Sequence, residues 1–302
     1  MTEAVDVVEE VRPRGASAVL RDYLSLTKPR VAALLLLTAL VPMVLAAEGL
    51  PSPRQIGLTM LGGYLAAGGA GAVNCYLDRD IDRRMARTCH RALPSGRLEP
   101  WRALILGIGL GLLAGLILWL GTHPLAAVLA LAAFLHYVFI YTLWLKRRSP
   151  SSVVIGGAAG AIPPLVGWAA VSGTLSPTAL VLSAIVFCWT PAHFWALALM
   201  RQSEYAAVGI PMLPVVHGRR ITRRRIVAYV AVTALLTALP VINGTLGLGY
   251  AAATILLDAW LLYQALRMLQ RAEAKTTRRF YFSTLFYLGT LFLSMVLEKL
   301  LS

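Results

Sequence analysis

Nine long apolar stretches, separated by short polar segments, constrain the fold of this chain more than any other feature. They cover residues 31–47, 56–73, 101–121, 124–145, 152–171, 177–199, 226–242, 246–266 and 280–298. Most have the roughly 20 residues that a helix needs to cross a hydrocarbon core of about 30 Å. Only 14% of the residues are charged, whereas soluble domains have about 25%. The sequence therefore predicts an all-α polytopic membrane protein with about nine transmembrane helices in a single bundle.

The basic residues are distributed unequally over the loops between these stretches. Of the 28 lysines and arginines, all except Arg54 and Lys299 fall on one side of the predicted bundle. The positive-inside rule places that side and the N-terminus in the cytoplasm, and the C-terminus outside. Topology thus accounts for the net charge of +14, and we expect no nucleic acid partner. We predict a loose cytoplasmic tail over residues 1–24 and one transmembrane domain over residues 25–302.

Three polar residues at four-residue spacing follow the second apolar stretch, where it meets a basic loop. Asn74, Asp78 and Asp82 would lie within about 80° of one another on a helix, because each residue turns the helix by about 100°. An amide and two carboxylates on one face are ligands for a hard cation. Mg²⁺ is the expected ion, since it takes oxygen ligands and often shares them with substrate phosphates.

The same loop adds arginines at a matching spacing. Arg83, Arg87 and Arg91 are also four residues apart, and guanidinium groups bind phosphate oxygens through paired hydrogen bonds. Asp80 would point away from the other acids and pair with Arg84 at i+4. Carboxylates and arginines in one loop together predict a site for a magnesium-bound diphosphate.

At these residues the chain resembles the UbiA superfamily of intramembrane prenyltransferases. Within it, the resemblance is to the branch that farnesylates protohaem IX, the haem O synthases. Four stretches carry this resemblance, namely Leu26–Val31, the loop at residues 74–100, Tyr141–Trp168 and His193–Gly218. The asparagine–aspartate pattern alone is typical of the whole superfamily, whereas the third and fourth stretches favour the haem branch.

The resemblance implies a role for particular residues. Asn74, Asp78 and Asp82 match the magnesium–diphosphate motif. Lys146 and Arg147 match a basic pair that binds the diphosphate, and Tyr141, one turn before the pair, would face the substrate cavity.

Other diphosphate ligands are expected from the basic segments around this motif. Arg87 and Arg91 would assist on the diphosphate. Lys28 could also reach it, although an anchor at the membrane interface explains this lysine equally well.

The second long loop departs from the wider superfamily, in which many members carry another pair of acids. Here Glu204 is the only carboxylate, and it could bind a second Mg²⁺ or pair with Arg201. His193 lies within a predicted span, where polar groups usually face an interior cavity. It could contact haem iron or propionate, act as an acid or base, or simply bond to a neighbouring helix.

The resemblance implies transfer of a farnesyl group from farnesyl diphosphate to a vinyl group of protohaem IX (haem B). Both substrates would meet in a cavity that is open to the lipid bilayer. Asp78, Asp82, Lys146, Tyr141 and His193 are the expected catalytic residues. Haem–copper oxidase assembly proteins are the expected partners.

The acidic stretch Met1–Glu10 argues against a transit peptide and for a bacterial-type inner membrane.

Two other functions remain as alternatives. One is prenylation of a quinone precursor or another aromatic acceptor, and the other is membrane transport.

Overall fold

The computed structural model describes residues 15–301, and within them the predicted all-α fold is confirmed. Nine helical segments in this range are long and apolar enough to cross a membrane. They are Pro29–Ala46, Pro53–Leu77, Pro100–Gly121, Pro124–Leu145, Ser152–Ser172, Pro177–Met200, Gly218–Ile242, Leu248–Arg271 and Ala274–Leu301. Each overlaps one of the predicted apolar stretches, so the protein is a multi-pass membrane protein.

The helices of the bundle are numbered in chain order. They are α1 (Ala16–Leu26), α2 (Pro29–Ala46), α3 (Pro53–Leu77), α4 (Arg79–Arg84), α5 (Pro100–Gly121), α6 (Pro124–Leu135), the π-helix (His136–Leu145), α7 (Ser152–Ala161), α8 (Pro163–Ser172), α9 (Pro177–Met200), α10 (Gln202–Ala207), α11 (Leu213–Val216), α12 (Gly218–Thr237), α13 (Leu239–Ile242), α14 (Leu248–Arg271) and α15 (Ala274–Leu301). Helix α3 packs along α5, α2 along α8, α9 along α12, and α14 along α15.

Proline marks the start of several of these helices. Five of the nine long segments, and the short helix α8, start with proline at the first helical position, where its missing N–H is not needed. Ser52 and Gln55 form a capping box in front of α3. Pro163 also separates α7 from α8, so the fifth span is a broken helix rather than the continuous one expected over 152–171.

The first 14 residues of the predicted loose tail lie outside the described residues. Residues 16–24 belong to α1, which extends to Leu26. Arg97 of the first long loop forms an ion pair with Asp22 of α1, with 2.9 Å between Nη2 and Oδ1. Hydrogen bonding to Asp22 holds the pKa of Arg97 above its ordinary value. The described part of the tail is therefore helical and bonded to the loop.

The largest part of the core lies among α9, α12, α14 and α15, where five large side chains are fully buried. These are Trp195, Tyr250, Tyr287, Phe280 and Phe292. One carboxylate, Asp258 of α14, is placed within this interface and accepts hydrogen bonds from Tyr287 (2.5 Å) and Thr237 (2.7 Å). A second, alanine-rich cluster joins α3, α5, α6 and α8.

The loops that follow α3, the π-helix and α9 meet at one end of the bundle, which we call the basic side. It comprises residues 78–99, 146–151 and 201–217. The polar side chains described next lie at this end.

Candidate active site

The three spaced polar residues lie where α3 passes into α4. Helix α3 ends at Leu77, and Asp78 occupies the junction with φ −92° and ψ 2°. The backbone N–H of Asp78 still bonds the carbonyl of Asn74 at 2.9 Å, and that of Asp82 bonds the carbonyl of Asp78 at 2.8 Å. The four-residue spacing is thus kept across the break, and all three side chains are buried.

Asn74 and Asp78 form a charged network with two lysines from other parts of the chain. Nδ2 of Asn74 donates to Oδ2 of Asp78 at 2.7 Å. Nζ of Lys146 donates to the same carboxylate oxygen, and Nζ of Lys28 donates to Oδ1 of Asn74 at 2.5 Å. Because Asp78 is only 2% exposed, water screens this network little.

Lys146 remains protonated in this setting. Burial alone would lower its pKa, but the nearby Tyr141 and the Asp78 carboxylate outweigh that effect and raise the pKa above its ordinary value. The lysine is therefore an ammonium ion at neutral pH. Its charge faces a carboxylate whose other oxygen, Oδ1, is buried without a hydrogen bond.

Lys28 reaches Asn74 from a strained position. Its backbone has φ 51° and ψ 57°, in the left-handed region, at the residue that precedes α2. Such a conformation is rare for residues other than glycine, and it occurs often at functional sites. From this position its ammonium group reaches Asn74 of α3.

Asp82 lies in a small cavity next to this network. Its Oδ2 accepts a hydrogen bond from Nη1 of Arg91 at 3.0 Å. The cavity has a volume of about 110 Å³ and is lined by Ser25, Leu26, Lys28, Cys75, Asp82, Arg91, Leu93 and Pro94. Lys28 therefore borders both the Asn74–Asp78 pair and the cavity that contains Asp82.

A π-helix supplies the residues that approach from the fourth span. Over His136–Leu145 the backbone is wider than an α-helix, and the N–H of Lys146 bonds the carbonyl of Tyr141, five residues earlier, at 2.8 Å. The ring of Tyr141 packs where a Cβ on Gly156 would lie, so only glycine fits beneath it. Such π-segments are rare and are found frequently at functional sites.

Asp80 has a different partner from the one predicted. Asp80 does not pair with Arg84; it accepts two hydrogen bonds from Arg147, at 2.7 and 2.8 Å. These bonds lower the pKa of Asp80 and raise that of Arg147. The i+4 rule missed this pair because a partner 67 residues away in the sequence approaches the carboxylate with both guanidinium nitrogens. The Arg147 Nη2 also lies 3.9 Å from Oδ1 of Asp78.

Glu204 connects the two long loops. It accepts a hydrogen bond from Arg201 at 2.7 Å. This pairing is one of the two roles that the sequence left open for Glu204. Its second oxygen lies 3.8 Å from Nε of Arg87, which belongs to the first loop. Glu204 and Arg87 thus join the loops across the basic side.

The predicted ligands Asn74, Asp78, Asp82 and Glu204 do not form a closed metal cage. Within residues 15–301 no group of three or more His, Cys, Asp or Glu side chains is close enough to hold a metal ion. Each carboxylate faces a cation instead: Lys146, Arg91 and Arg201 respectively. The buried Oδ1 of Asp78, without a hydrogen bond, and the amide oxygen of Asn74 still fit a hard cation that shares its other ligands with a phosphate.

His193 is hydrogen-bonded to a neighbouring helix, α15, which is one of the three roles expected from the sequence. Its ring stacks between Trp189 (4.6 Å between ring centroids) and Tyr281 (4.7 Å). Its Nδ1 lies 2.8 Å from Oγ1 of Thr284, and that hydroxyl already donates to the carbonyl of Tyr281 at 2.6 Å. The hydroxyl must therefore accept from Nδ1–H, which leaves the lone pair of the imidazole on Nε2.

Three residues of this region were not identified from the sequence: Thr142, Thr284 and Tyr281. Thr142 accepts a hydrogen bond from Asn74 at 3.2 Å. No sequence pattern marks them, because their contacts join helices that are far apart along the chain. A threonine in an apolar stretch usually bonds its own helix, so the sequence gives no reason to expect a contact with another helix.

Comparisons with known proteins show which family and fold the chain is similar to. The sequence model of the UbiA prenyltransferase family matches residues 35–293. A relative from Roseiflexus sp. (strain RS-1), named protoheme IX farnesyltransferase, is 50% identical over 293 residues, which is 97% of this chain and 55% of the relative. Relatives of the same name come from Thermus thermophilus, at 49% identity over 96% of this chain and 48% of the relative, and from Gloeobacter violaceus, at 46% over 94% and 93%. The chain spans about half the length of the first two relatives.

Solved structures share the fold at low sequence identity. A digeranylgeranylglyceryl phosphate synthase superposes with a TM-score of 0.79 and 17% identity, over 94% of this chain and 99% of the other. A UbiA homolog from Archaeoglobus fulgidus bound to GPP and Mg²⁺ gives a TM-score of 0.65 at 15% identity, over 91% and 99%. At these identities the likeness establishes the helical architecture.

Proposed function

The chain belongs to the UbiA prenyltransferase family, and from that premise we propose that it transfers a farnesyl group from farnesyl diphosphate to a vinyl group of protohaem IX, giving haem O. The observation that carries the proposal is the buried network in which Asn74 and Lys146 donate hydrogen bonds to Asp78 and Lys28 donates to Asn74. The names of the relatives, at 46 to 50% identity over almost the whole chain, support haem as the acceptor.

The basic side would bind the diphosphate head of the donor. Lys146 and Lys28 bring two ammonium groups to the Asn74–Asp78 pair, and Arg91 brings a guanidinium to Asp82. Arg147 lies 3.9 Å from Asp78, and Arg87 lies 3.8 Å from Glu204; both would bind the outer phosphate oxygens. Such fixed charges stabilise a leaving diphosphate because they are in place before the bond breaks.

Mg²⁺ fits the remaining oxygen ligands. Asn74, Asp78 and Asp82 would hold it, with Glu204 as the ligand from the second loop, and the ion would neutralise charge on the departing diphosphate. Asp78 would hold the cation through Oδ1, which has no hydrogen bond, because its Oδ2 accepts hydrogen bonds from Lys146 and Asn74.

The reaction needs no covalent bond to the protein. The C1–O bond of the donor breaks and both electrons leave with the diphosphate, which produces an allylic cation. The π-electrons of the porphyrin vinyl group form the new C–C bond. Water then adds to the resulting cation next to the macrocycle and loses a proton, which leaves a hydroxyl group. The protein orients both reactants and limits access of other water to the cation.

Tyr141 and His193 are proposed to face the reacting groups. Tyr141 lies one π-turn before Lys146, so its ring would border the allylic chain near the head group. His193 presents its Nε2 lone pair, fixed by Thr284 on the other nitrogen, and would meet the acceptor through that atom. The two faces of the imidazole ring are covered by Trp189 and Tyr281.

The basic side is proposed to face the cytoplasm of a bacterial-type inner membrane. The sequence assigns all but two of the chain's lysines and arginines to that side or to the flanking helix ends. The donor is water-seeking at its head and apolar along its chain, so a site at this membrane edge would suit it. The product would pass to proteins that assemble haem–copper oxidases.

A test of the acceptor uses the purified chain in lipid nanodiscs with farnesyl diphosphate and Mg²⁺. Protohaem IX or 4-hydroxybenzoate is added in separate reactions, and the extracted products are analysed by mass spectrometry. We expect a haem whose mass has increased by one farnesyl group and one hydroxyl, and no prenylated benzoate. Prenylation of the benzoate without any change in haem would contradict the proposal and favour a quinone precursor as acceptor. Pyrophosphate released together with product would exclude pure transport.

A further inference from the structure

Thr142 joins the π-helix to the asparagine of the site. Thr142 is only 1% exposed. Its hydroxyl donates to the carbonyl of Tyr137 at 2.8 Å and lies 3.2 Å from Nδ2 of Asn74. The carbonyl of Tyr137 is five residues earlier, so this bond follows the wide register of the π-helix. A threonine in an α-helix normally bonds a carbonyl three or four residues earlier.

The hydrogen-bond roles follow from the number of protons available. A hydroxyl has one proton, and Thr142 uses it on Tyr137. The Thr142 hydroxyl can therefore only accept a hydrogen bond from Asn74, so the NH₂ group of the Asn74 amide must face Thr142. The same NH₂ group donates to Asp78 at 2.7 Å, and the amide oxygen faces Lys28 at 2.5 Å.

The opposite orientation of the Asn74 amide would be unfavourable. Its oxygen would face the carboxylate of Asp78 and the lone pairs of Thr142, and its NH₂ group would face the ammonium of Lys28. Two of these neighbours, Asp78 and Lys28, carry charges that a metal ion and a diphosphate would engage. Thr142 is uncharged, and its bond to Tyr137 does not depend on the substrate.

We propose that Thr142 is a positioning residue that fixes the amide orientation of Asn74, so that the amide oxygen is available to the cation that the donor diphosphate shares. The inference rests on the proposed function, because it concerns the donor half of that site. The π-helix is what makes it possible, since the five-residue register commits the threonine hydroxyl proton. Loss of a residue that orients a metal ligand typically changes metal affinity or activity by about 10- to 100-fold.

The test measures metal binding without turnover. Full-length protein is titrated with Mn²⁺ in the presence of farnesyl thiodiphosphate, an unreactive analogue of the donor, and free Mn²⁺ is measured by electron paramagnetic resonance. We expect Thr142→Val to raise the dissociation constant for Mn²⁺ by about 10- to 100-fold. Thr142→Ser, which keeps the hydroxyl, should stay close to the wild type. Thr233→Val is the matched control, because this buried threonine bonds the carbonyl of Tyr229 in its own helix.

A double-mutant cycle separates positioning from a general loss of structure. If Thr142 acts through Asn74, Thr142→Val should have no further effect in an Asn74→Ala background. Equal Mn²⁺ affinity in Thr142→Val and the wild type, or a full additional loss in the Asn74→Ala background, would overturn the inference. Thermal unfolding identifies folded variants, and Thr142→Ala replaces Thr142→Val if that variant does not fold.

The wild type distinguishes failure of the inference from failure of the proposed function. A wild type that binds no Mn²⁺ in the presence of the donor analogue would overturn the proposed donor site, and the inference with it. Normal wild-type binding with no effect of Thr142 would overturn the inference alone.

Discussion

Asp78→Asn is expected to lower the rate of farnesyl transfer by about 100- to 1,000-fold, which is the usual cost of removing one preorganised electrostatic group from an active site. The substitution keeps the shape of the side chain and removes its charge. It leaves Lys146 without its carboxylate partner and takes the negative charge from the side chain whose Oδ1 is proposed to bind Mg²⁺. Initial rates at saturating farnesyl diphosphate and Mg²⁺, with extracted haems quantified by mass spectrometry, measure the effect.

The neighbouring acid provides a control on the same short segment. The side chain of Asp80 is 56% exposed, whereas that of Asp78 is 3% exposed. Asp80→Asn should therefore change the rate by less than about tenfold, since exposed ion pairs contribute about 0–1 kcal/mol. Equal losses in the two variants would contradict the special role of Asp78.

Stability must be measured together with activity for the Asp78 variant. Removing one partner of a buried ion pair costs about 3–5 kcal/mol, because the remaining charge is left uncompensated. The double variant Asp78→Asn, Lys146→Met removes both charges and should regain much of the thermal stability in detergent. It should not regain activity. Recovery of activity with stability would show that Asp78 is needed only for folding.

Lys146→Met is expected to produce the second large loss, about 100- to 1,000-fold in kcat. The variant keeps a long unbranched side chain and removes the ammonium group that would bind the leaving diphosphate. Because burial is outweighed by the surrounding groups and the pKa of Lys146 lies above its ordinary value, the native lysine carries its charge throughout the neutral range. The loss should therefore appear at every pH between about 6 and 9, well below the ordinary lysine pKa of about 10.4.

Arg148→Met is the matched control for Lys146, because it removes a cation two residues further along the chain. Arg148 is exposed, and within residues 15–301 no ion pair of its side chain is present. We expect its activity to stay within about threefold of the wild type, as for most exposed charges. A comparable loss in both variants would mean that the segment needs positive charge in general rather than an ammonium at the Asp78 carboxylate.

The bundle could be predicted from the sequence because its signals are local. Apolar stretches of sufficient length define the nine spans found within residues 15–301, and prolines such as Pro29, Pro53 and Pro177 define where helices begin. Asn74, Asp78 and Asp82 could also be grouped from their four-residue spacing. The structure keeps them together because backbone hydrogen bonds continue the helical spacing past Leu77, where α3 ends.

The partners of these residues could not be predicted, because they come from distant parts of the chain. Asp80 pairs with Arg147 rather than with Arg84, which is only four residues away. The π-helix has no sequence signature of its own, and the packing of its Tyr141 over Gly156 joins two different spans. The contact of Thr142 with Asn74 depends on how two distant helices pack, so the sequence does not indicate it.

The acids of the α3–α4 junction are proposed to hold a divalent cation against the donor diphosphate. A structure determined with Mn²⁺ and farnesyl thiodiphosphate, with the metal located by its anomalous scattering, tests this role most directly. We predict a metal peak at the carboxylates of Asp78 and Asp82, with the diphosphate between that peak and Lys146. A diphosphate bound elsewhere, or a metal that contacts neither aspartate, would contradict the claim.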